Sequence, residues 1–241
     1  MSPRPTPTPT PTPIPTLAAR ATAELVGTTL LVATVVGSGI MATRLTDDVA
    51  LRLLANSLAT GGVLVALIVS LQPVSSAFNP IVTLVEAALR VVPPRTAALL
   101  VLAQVVGGAF GAVLANAMFE LDLVSLSTHD RTGSGMWVGE VVATFGLVLV
   151  IFGCVRAGRS DAIAWAVSGW IVAGYWFTSS TSFANPAVTI ARSLSDTFAG
   201  ISPASVPMFV LMQLVGGTVA LGMLRLLRPA PLEAPLDRRT D

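Results

Sequence analysis

The sequence predicts an all-α membrane protein: six transmembrane helices and two re-entrant half-helices, arranged as two inverted halves. Three observations predict it. The chain of 241 residues is 53% hydrophobic and only 11% charged, where a water-soluble domain carries about a quarter charged residues. Six apolar segments are long enough to approach the roughly 20 residues that a bilayer core requires of a helix. An unusual apolar phrase containing Asn-Pro occurs twice, as SAFNPIVTLVEA from Ser76 and SFANPAVTIARS from Ser182.

Taken in order, the chain begins MSPRPTPTPTPTPIPT. Alternating Pro and Thr cannot build a packed core, so residues 1–20 read as a disordered, extended tail. The tail has no apolar h-region and is no signal peptide, which makes the first apolar segment an uncleaved span. The candidate spans are Ala21–Thr43, Leu51–Leu71, Thr96–Phe119, Met136–Val155, Ala162–Thr178 and Val206–Leu227. Two further apolar pieces, Pro80–Arg90 and Pro186–Asp196, are too short to cross, and each begins at an Asn-Pro. The membrane-embedded part is expected over 21–228, with halves at about 21–119 and 136–228, and a second tail at 229–241. All 14 basic residues are Arg, a composition bias that points to a GC-rich bacterial source. Ten of them fall on the side of the two tails and four on the other, which by the positive-inside rule puts both termini in the cytoplasm. A plasma (inner) membrane location follows.

The two halves repeat one order of parts. AELVGTTLLVATVVG from Ala23 aligns with GEVVATFGLVLVIFG from Gly139, so that Glu24 matches Glu140 and Gly37 matches Gly153 at one common offset. Asn79 matches Asn185, and QVVGG from Gln104 matches QLVGG from Gln213. Each half holds three spans, an odd number, so the halves face opposite ways across the membrane. A carboxylate in a span costs roughly 3 kcal/mol on insertion scales, and two at matched places are no accident. Glu24, Glu140, Gln104 and Gln213 read as groups that satisfy the backbone of the re-entrant loops, which has no water to bond to. The glycines of the Gln-containing motifs read as close helix packing.

Asn is a favourable N-cap and Pro a favourable first helical residue. Asn79-Pro80 and Asn185-Pro186 therefore each open a half-helix, and inverted symmetry brings the two N-termini together near the midplane. Each end carries a partial positive charge of about half an elementary charge. Two such ends facing one lumen oppose cations and protons, and the Asn side-chain N–H groups are expected to face passing hydroxylated solutes.

This organisation resembles the major intrinsic protein family, the aquaporins and aquaglyceroporins, over nearly everything from Ala21 to Leu227. The resemblance implies a right-handed bundle, a homotetramer in the lipid bilayer with one pore per subunit, and passive flow in both directions. The first box here is Asn79-Pro80-Ile81, where the family usually has Ala third; the second, Asn185-Pro186-Ala187, is standard. The family's filter comprises four positions, which fall on Thr60, Ala173 (with Gly174 adjacent), Ser182 and Val188; a slip of one in the second span moves the first of these to Ala59 or Gly61. Val188 stands where the family normally has Arg. The set holds no aromatic residue, His or Arg, which implies a wide, weakly polar opening. It is similar to the arsenic-associated bacterial branch, and implies small uncharged permeants: glycerol-like polyols, water, arsenous acid and methylated arsenicals. Arg192, one turn beyond Val188, reads either as a cationic outer vestibule or as a cap or headgroup contact.

Other functions fit poorly. The single Cys154 excludes an internal disulfide, and with the single His129 it leaves no His/Cys metal cluster. His129 lies in the polar stretch LSTHDRTGSG and reads as solvated. No nucleophile–base pattern suggests an enzyme. No cofactor and no nucleic-acid partner is expected. The serious alternative is an alternating-access transporter, since inverted repeats and broken helices also build those.

Overall fold

The computed structural model describes residues 14–227; most of the Pro/Thr-rich stretch and the segment 228–241 lie outside the described residues. Eight α-helices follow one another: α1 Leu17–Leu45, α2 Val49–Leu71, α3 Pro80–Ala88, α4 Pro94–Met118, α5 Ser134–Arg156, α6 Ile163–Phe177, α7 Pro186–Arg192 and α8 Val206–Leu226. Five of them, α1, α2, α4, α5 and α8, are long and apolar enough to cross a membrane. The sixth expected span, α6, has 15 residues and is extended at its start by a 3-10 turn over Ser160–Ala162. At 1.5 Å per α-helical residue and about 2 Å per 3-10 residue, the two together come close to a bilayer core in length.

Local chemistry sets the ends. Thr16 accepts a hydrogen bond from the Ala19 N–H, so the first helix starts at Leu17 and takes in the last residues of the expected tail. Asp48 caps α2 through the Leu51 N–H. Pro stands in the first turn of α3, α4, α7 and α8, where its missing N–H costs nothing. Arg44 and Arg156 sit in the last turns of α1 and α5, where a cation complements the helix dipole.

The repeat governs the packing. α1 runs along α4 and, in the matching place of the second half, α5 runs along α8, while α2 packs on α6 between the halves. The two Gln-containing motifs explain the first of these pairings. A methyl group at Gly107 would collide with the Leu25 carbonyl of α1, and one at Gly216 with the Val141 carbonyl of α5. Hence the helices approach until backbone meets backbone. The next glycine of each motif reaches into the other half: Gly108 abuts Ala187 at the start of α7, and Gly217 abuts the Ile81 side chain in α3. The unusual Ile81 is thus accommodated by a glycine opposite. Polar side chains tie further pairs, with Asn56 donating to the Val35 carbonyl at 2.7 Å and the Trp170 indole to the Ala143 carbonyl at 2.9 Å. Large apolar side chains such as Leu58, Leu102, Phe110 and Trp165 are exposed around the outside, the surface a lipid-facing bundle presents.

Candidate functional site: a lumen closed by two half-helices

The two connections that lead into α3 and α7 carry backbone that no regular structure satisfies. Glu24 is fully buried and accepts from the Ala77 N–H at 2.9 Å and the Phe78 N–H at 2.7 Å. Glu140, also fully buried, accepts from the Phe183 N–H at 2.9 Å and the Ala184 N–H at 3.0 Å. Each carboxylate receives a third bond from its glutamine, Gln104 at 2.7 Å and Gln213 at 2.6 Å. Each glutamine spends its other amide hydrogen on a threonine of the adjacent half-helix: Gln104 on Thr83 and Gln213 on Thr189, both at 2.8 Å. The threonines belong to the repeated phrase itself, where the Val-Thr following each Asn-Pro was the signal. Their part in the network was not read from the sequence.

Asn79 and Asn185 do two jobs. Each side-chain oxygen caps its own half-helix, accepting from Ile81 N–H at 2.9 Å and from Ala187 N–H at 3.0 Å respectively. Each side-chain amide donates to the opposite connection, Asn79 to the Ala184 carbonyl at 2.8 Å and Asn185 to the Phe78 carbonyl at 2.7 Å. One N–H of each amide therefore ties the halves together, a part not read from the sequence, and the second makes no hydrogen bond among the described residues. The accepting residues, Phe78 and Ala184, both adopt positive φ, 47° and 49°. That conformation costs an L-residue about 1–2 kcal/mol. It aims the two carbonyls across the interface between the half-helices.

Between the half-helices and the bundle runs a cavity of about 470 Å³. On the side of the described N-terminus it is lined by Arg20, Gln72, Ser75 and Glu86; at its middle by Asn79, Val82, Asn185 and Val188; beyond them by Thr60, Tyr175, Ser182 and Arg192. Val82 and Val188 occupy matching places in the two halves, each three residues after its Asn. A second chamber of about 190 Å³ lies further out, lined by Asn56, His129, Arg131, Tyr175, Thr181 and Arg192 among others. Tyr175 and Arg192 line both and so mark the passage between them.

The structure redistributes the expected filter. Thr60 lines the lumen, its hydroxyl donating to the Asn56 carbonyl and lying 3.1 Å from the Tyr175 hydroxyl. Val188 is buried against the lumen, with its N–H 3.3 Å from the Asn185 oxygen. Ser182 lines it too, but its hydroxyl rests against Gly174 and makes no hydrogen bond. Ala173 does not line it: this residue is exposed on the outer surface of α6, and Gly174 is packed behind Ser182. The lumen face of α6 is Ile163, Val167, Ile171 and Tyr175, each one helical turn from the next. An aromatic residue, Tyr175, and an Arg, Arg192, thus line the cavity beside Thr60, Ser182 and Val188.

Arg192 is no free vestibule cation. It is 2% exposed, its Nε donates to the Ala199 carbonyl, and its guanidinium lies 3.4 Å from the centroid of the Phe183 ring. The connection over 119–133 covers this outer side. Its Ser125 and Ser127 N–H groups donate to the carbonyls of Leu194 and Ser193, and Asp196 accepts from the Thr128 N–H at 2.9 Å and from its hydroxyl at 3.1 Å. These bonds hold the Asp196 carboxyl below its ordinary pKa, the Thr128 N–H contributing most. His129 is exposed at the chamber's edge, its pKa lowered first by burial and then by the charge of Arg131.

Comparison with known proteins gives a consistent result. The sequence profile of the Major intrinsic protein family matches residues 14–173 and 156–239. The chain is 50% identical over 227 residues to Aquaglyceroporin AqpS of Rhizobium meliloti (strain 1021), covering 93% of this chain and 96% of that one. Its fold is similar to the X-ray structure of the aquaglyceroporin from Plasmodium falciparum, with a TM-score of 0.64 at 16% identity, over 86% of this chain and 95% of that one.

Proposed function

The chain belongs to the major intrinsic protein family, and from that premise we propose that it is a passive channel for small uncharged solutes: water, glycerol-like polyols, and neutral metalloid hydroxides such as arsenous acid, with methylated arsenicals as larger members of the set. The observation that carries this reading is the lining of the lumen. Asn79 and Asn185 meet there at the joined ends of α3 and α7, and beyond them the walls are apolar or hydroxyl-bearing, from Val82 and Val188 to Thr60 and Tyr175, until Arg192 at the outer end. A neutral hydroxylated solute can accept the free amide N–H of each Asn while its carbon skeleton slides along valine and isoleucine. A cation meets two positive helix ends and loses its water without replacement. Val188 leaves open the space that an Arg would fill.

Support for the bilayer setting is the exposed apolar belt. The arginine asymmetry supports cytoplasmic termini, and the family resemblance supports a homotetramer. The test is flux into liposomes carrying the purified protein. Glycerol and arsenous acid should enter without saturation and with a low activation energy. Saturation at millimolar solute, or no flux above protein-free liposomes, would overturn the reading, the first outcome in favour of an alternating-access carrier.

A further inference from the structure

The outer chamber holds an arrangement that conduction of neutral solutes does not use. Arg131, from the 119–133 connection, and Arg192, from the last turn of α7, both place a guanidinium over the ring of Phe183, at 5.0 and 3.4 Å from its centroid. Each is fixed through Nε by a neighbouring backbone carbonyl, Arg131 by Gly200 at 2.9 Å and Arg192 by Ala199. Neither side chain makes another hydrogen bond among the described residues, so the terminal nitrogens of both forks are uncommitted. The one ion pair among the described residues joins Arg52 to Asp47; neither Arg131 nor Arg192 has a carboxylate at that range. Two acids of this region are committed elsewhere, Glu140 to the Phe183 and Ala184 N–H groups and Asp196 to Thr128.

Arg192 is buried and Arg131 half-buried; holding a guanidinium there without a counter-ion is costly, and setting a second beside it adds repulsion. A ring shared by both and a carbonyl for each Nε offset part of that cost but leave two net charges. Both line the same chamber, about 190 Å³, with His129 and Tyr175 on its walls. Paired guanidinium forks match the spaced oxygens of a tetrahedral oxyanion, and such charge-assisted bonds are roughly twice as strong as neutral ones.

We infer that the outer chamber is a binding site for a small oxyanion of the phosphate class, held jointly by the terminal nitrogens of Arg131 and Arg192. Because Tyr175 and Arg192 also line the main lumen, the bound anion stands across the approach to the constriction.

The experiment is equilibrium dialysis of labelled inorganic phosphate against the purified full-length protein at pH 7.5. It reads binding, so its outcome is independent of whether the protein conducts. Saturable binding of one phosphate per chain is expected, weakened at least tenfold in Arg131→Gln. A second variant guards against a misfolded first. His129 is exposed and its side chain makes no hydrogen bond, so His129→Asp should fold normally while placing a negative charge at the chamber's edge; it should weaken phosphate at least fivefold. Absence of saturable binding to the unmodified protein, or full affinity in His129→Asp, overturns the proposal.

Discussion

The Tyr175 hydroxyl lies 3.1 Å from the Thr60 hydroxyl, linking α6 to α2 where the main lumen meets the outer chamber. The ring, more than the bond, fills the passage. Tyr175→Phe should therefore leave the size limit almost unchanged, whereas Tyr175→Ala should raise the flux of a five-carbon polyol severalfold relative to glycerol. Stopped-flow swelling of matched proteoliposomes measures the ratio. An unchanged ratio in Tyr175→Ala would place the narrowest point elsewhere.

Val188 offers the opposite test. Val188→Arg would fill the space opposite Val82 with a long cation near the Asn185 side chain. Glycerol and arsenous acid should pass more slowly and water should be affected less. Equal solute flux at equal membrane content would show that position 188 does not bound the constriction.

Glu140→Ala removes the acceptor for the Phe183 and Ala184 N–H groups and a partner of Gln213. Each buried donor left unpaired costs about 1–3 kcal/mol. A clear fall in the thermal unfolding temperature in detergent is expected, and the same for Glu24→Ala. Unaltered melting of both variants would deny the carboxylates their structural role.

Gly217 faces the Ile81 side chain with no room for a methyl group. Gly217→Ala should destabilise by about 1–3 kcal/mol, the usual cost of overpacking, despite alanine's better helix propensity. Adding Ile81→Ala, the residue usual in the family, should recover most of the loss. A double variant no more stable than Gly217→Ala would mean that the two positions are not coupled.

Acid should loosen the outer connection. The Asp196 pKa is lowered from 3.8 in the folded chain, so its carboxylate contributes stability that is fully present above the ordinary carboxyl value and is lost as pH falls through the lowered one. Amide exchange over 119–133, corrected for intrinsic rate, should accelerate across that acid range. Asp196→Asn should show the faster exchange already at pH 7 and lose the pH step; a step that persists in this variant must come from another group.

The repeat made much of this legible in the sequence. Matched Glu24 and Glu140, matched glutamines and matched Asn-Pro boxes could be read as one apparatus because each appears twice in the same order. What escaped was tied to loop geometry. Counting back from Asn185 to a filter position on α6 assumes a fixed path through 178–185. That path contains Thr181, Ser182 and Ala184 at positive φ, which sequence spacing does not reveal. The count therefore fell on outward-facing Ala173, whereas the four-residue spacing of Ile163, Val167, Ile171 and Tyr175 was visible and pointed inward. Arg192 was found, but its burial over Phe183 depends on the fold of the 193–201 segment, for which the sequence carries no periodic signal.

The crossed amides of Asn79 and Asn185 also bear on biosynthesis. As the chain leaves the ribosome, the first three spans reach the bilayer with α3 between them, but the carbonyl of Phe78 then has no donor and the amide of Asn79 no acceptor. Both arrive only with the connection before α7, more than a hundred residues later in synthesis. The first half therefore cannot finish its own interior and must wait, its re-entrant segment unlatched, until the second half is inserted. Completion of the lumen is in this sense the last step of making the protein, and a nascent chain stopped midway has no finished passage through the membrane.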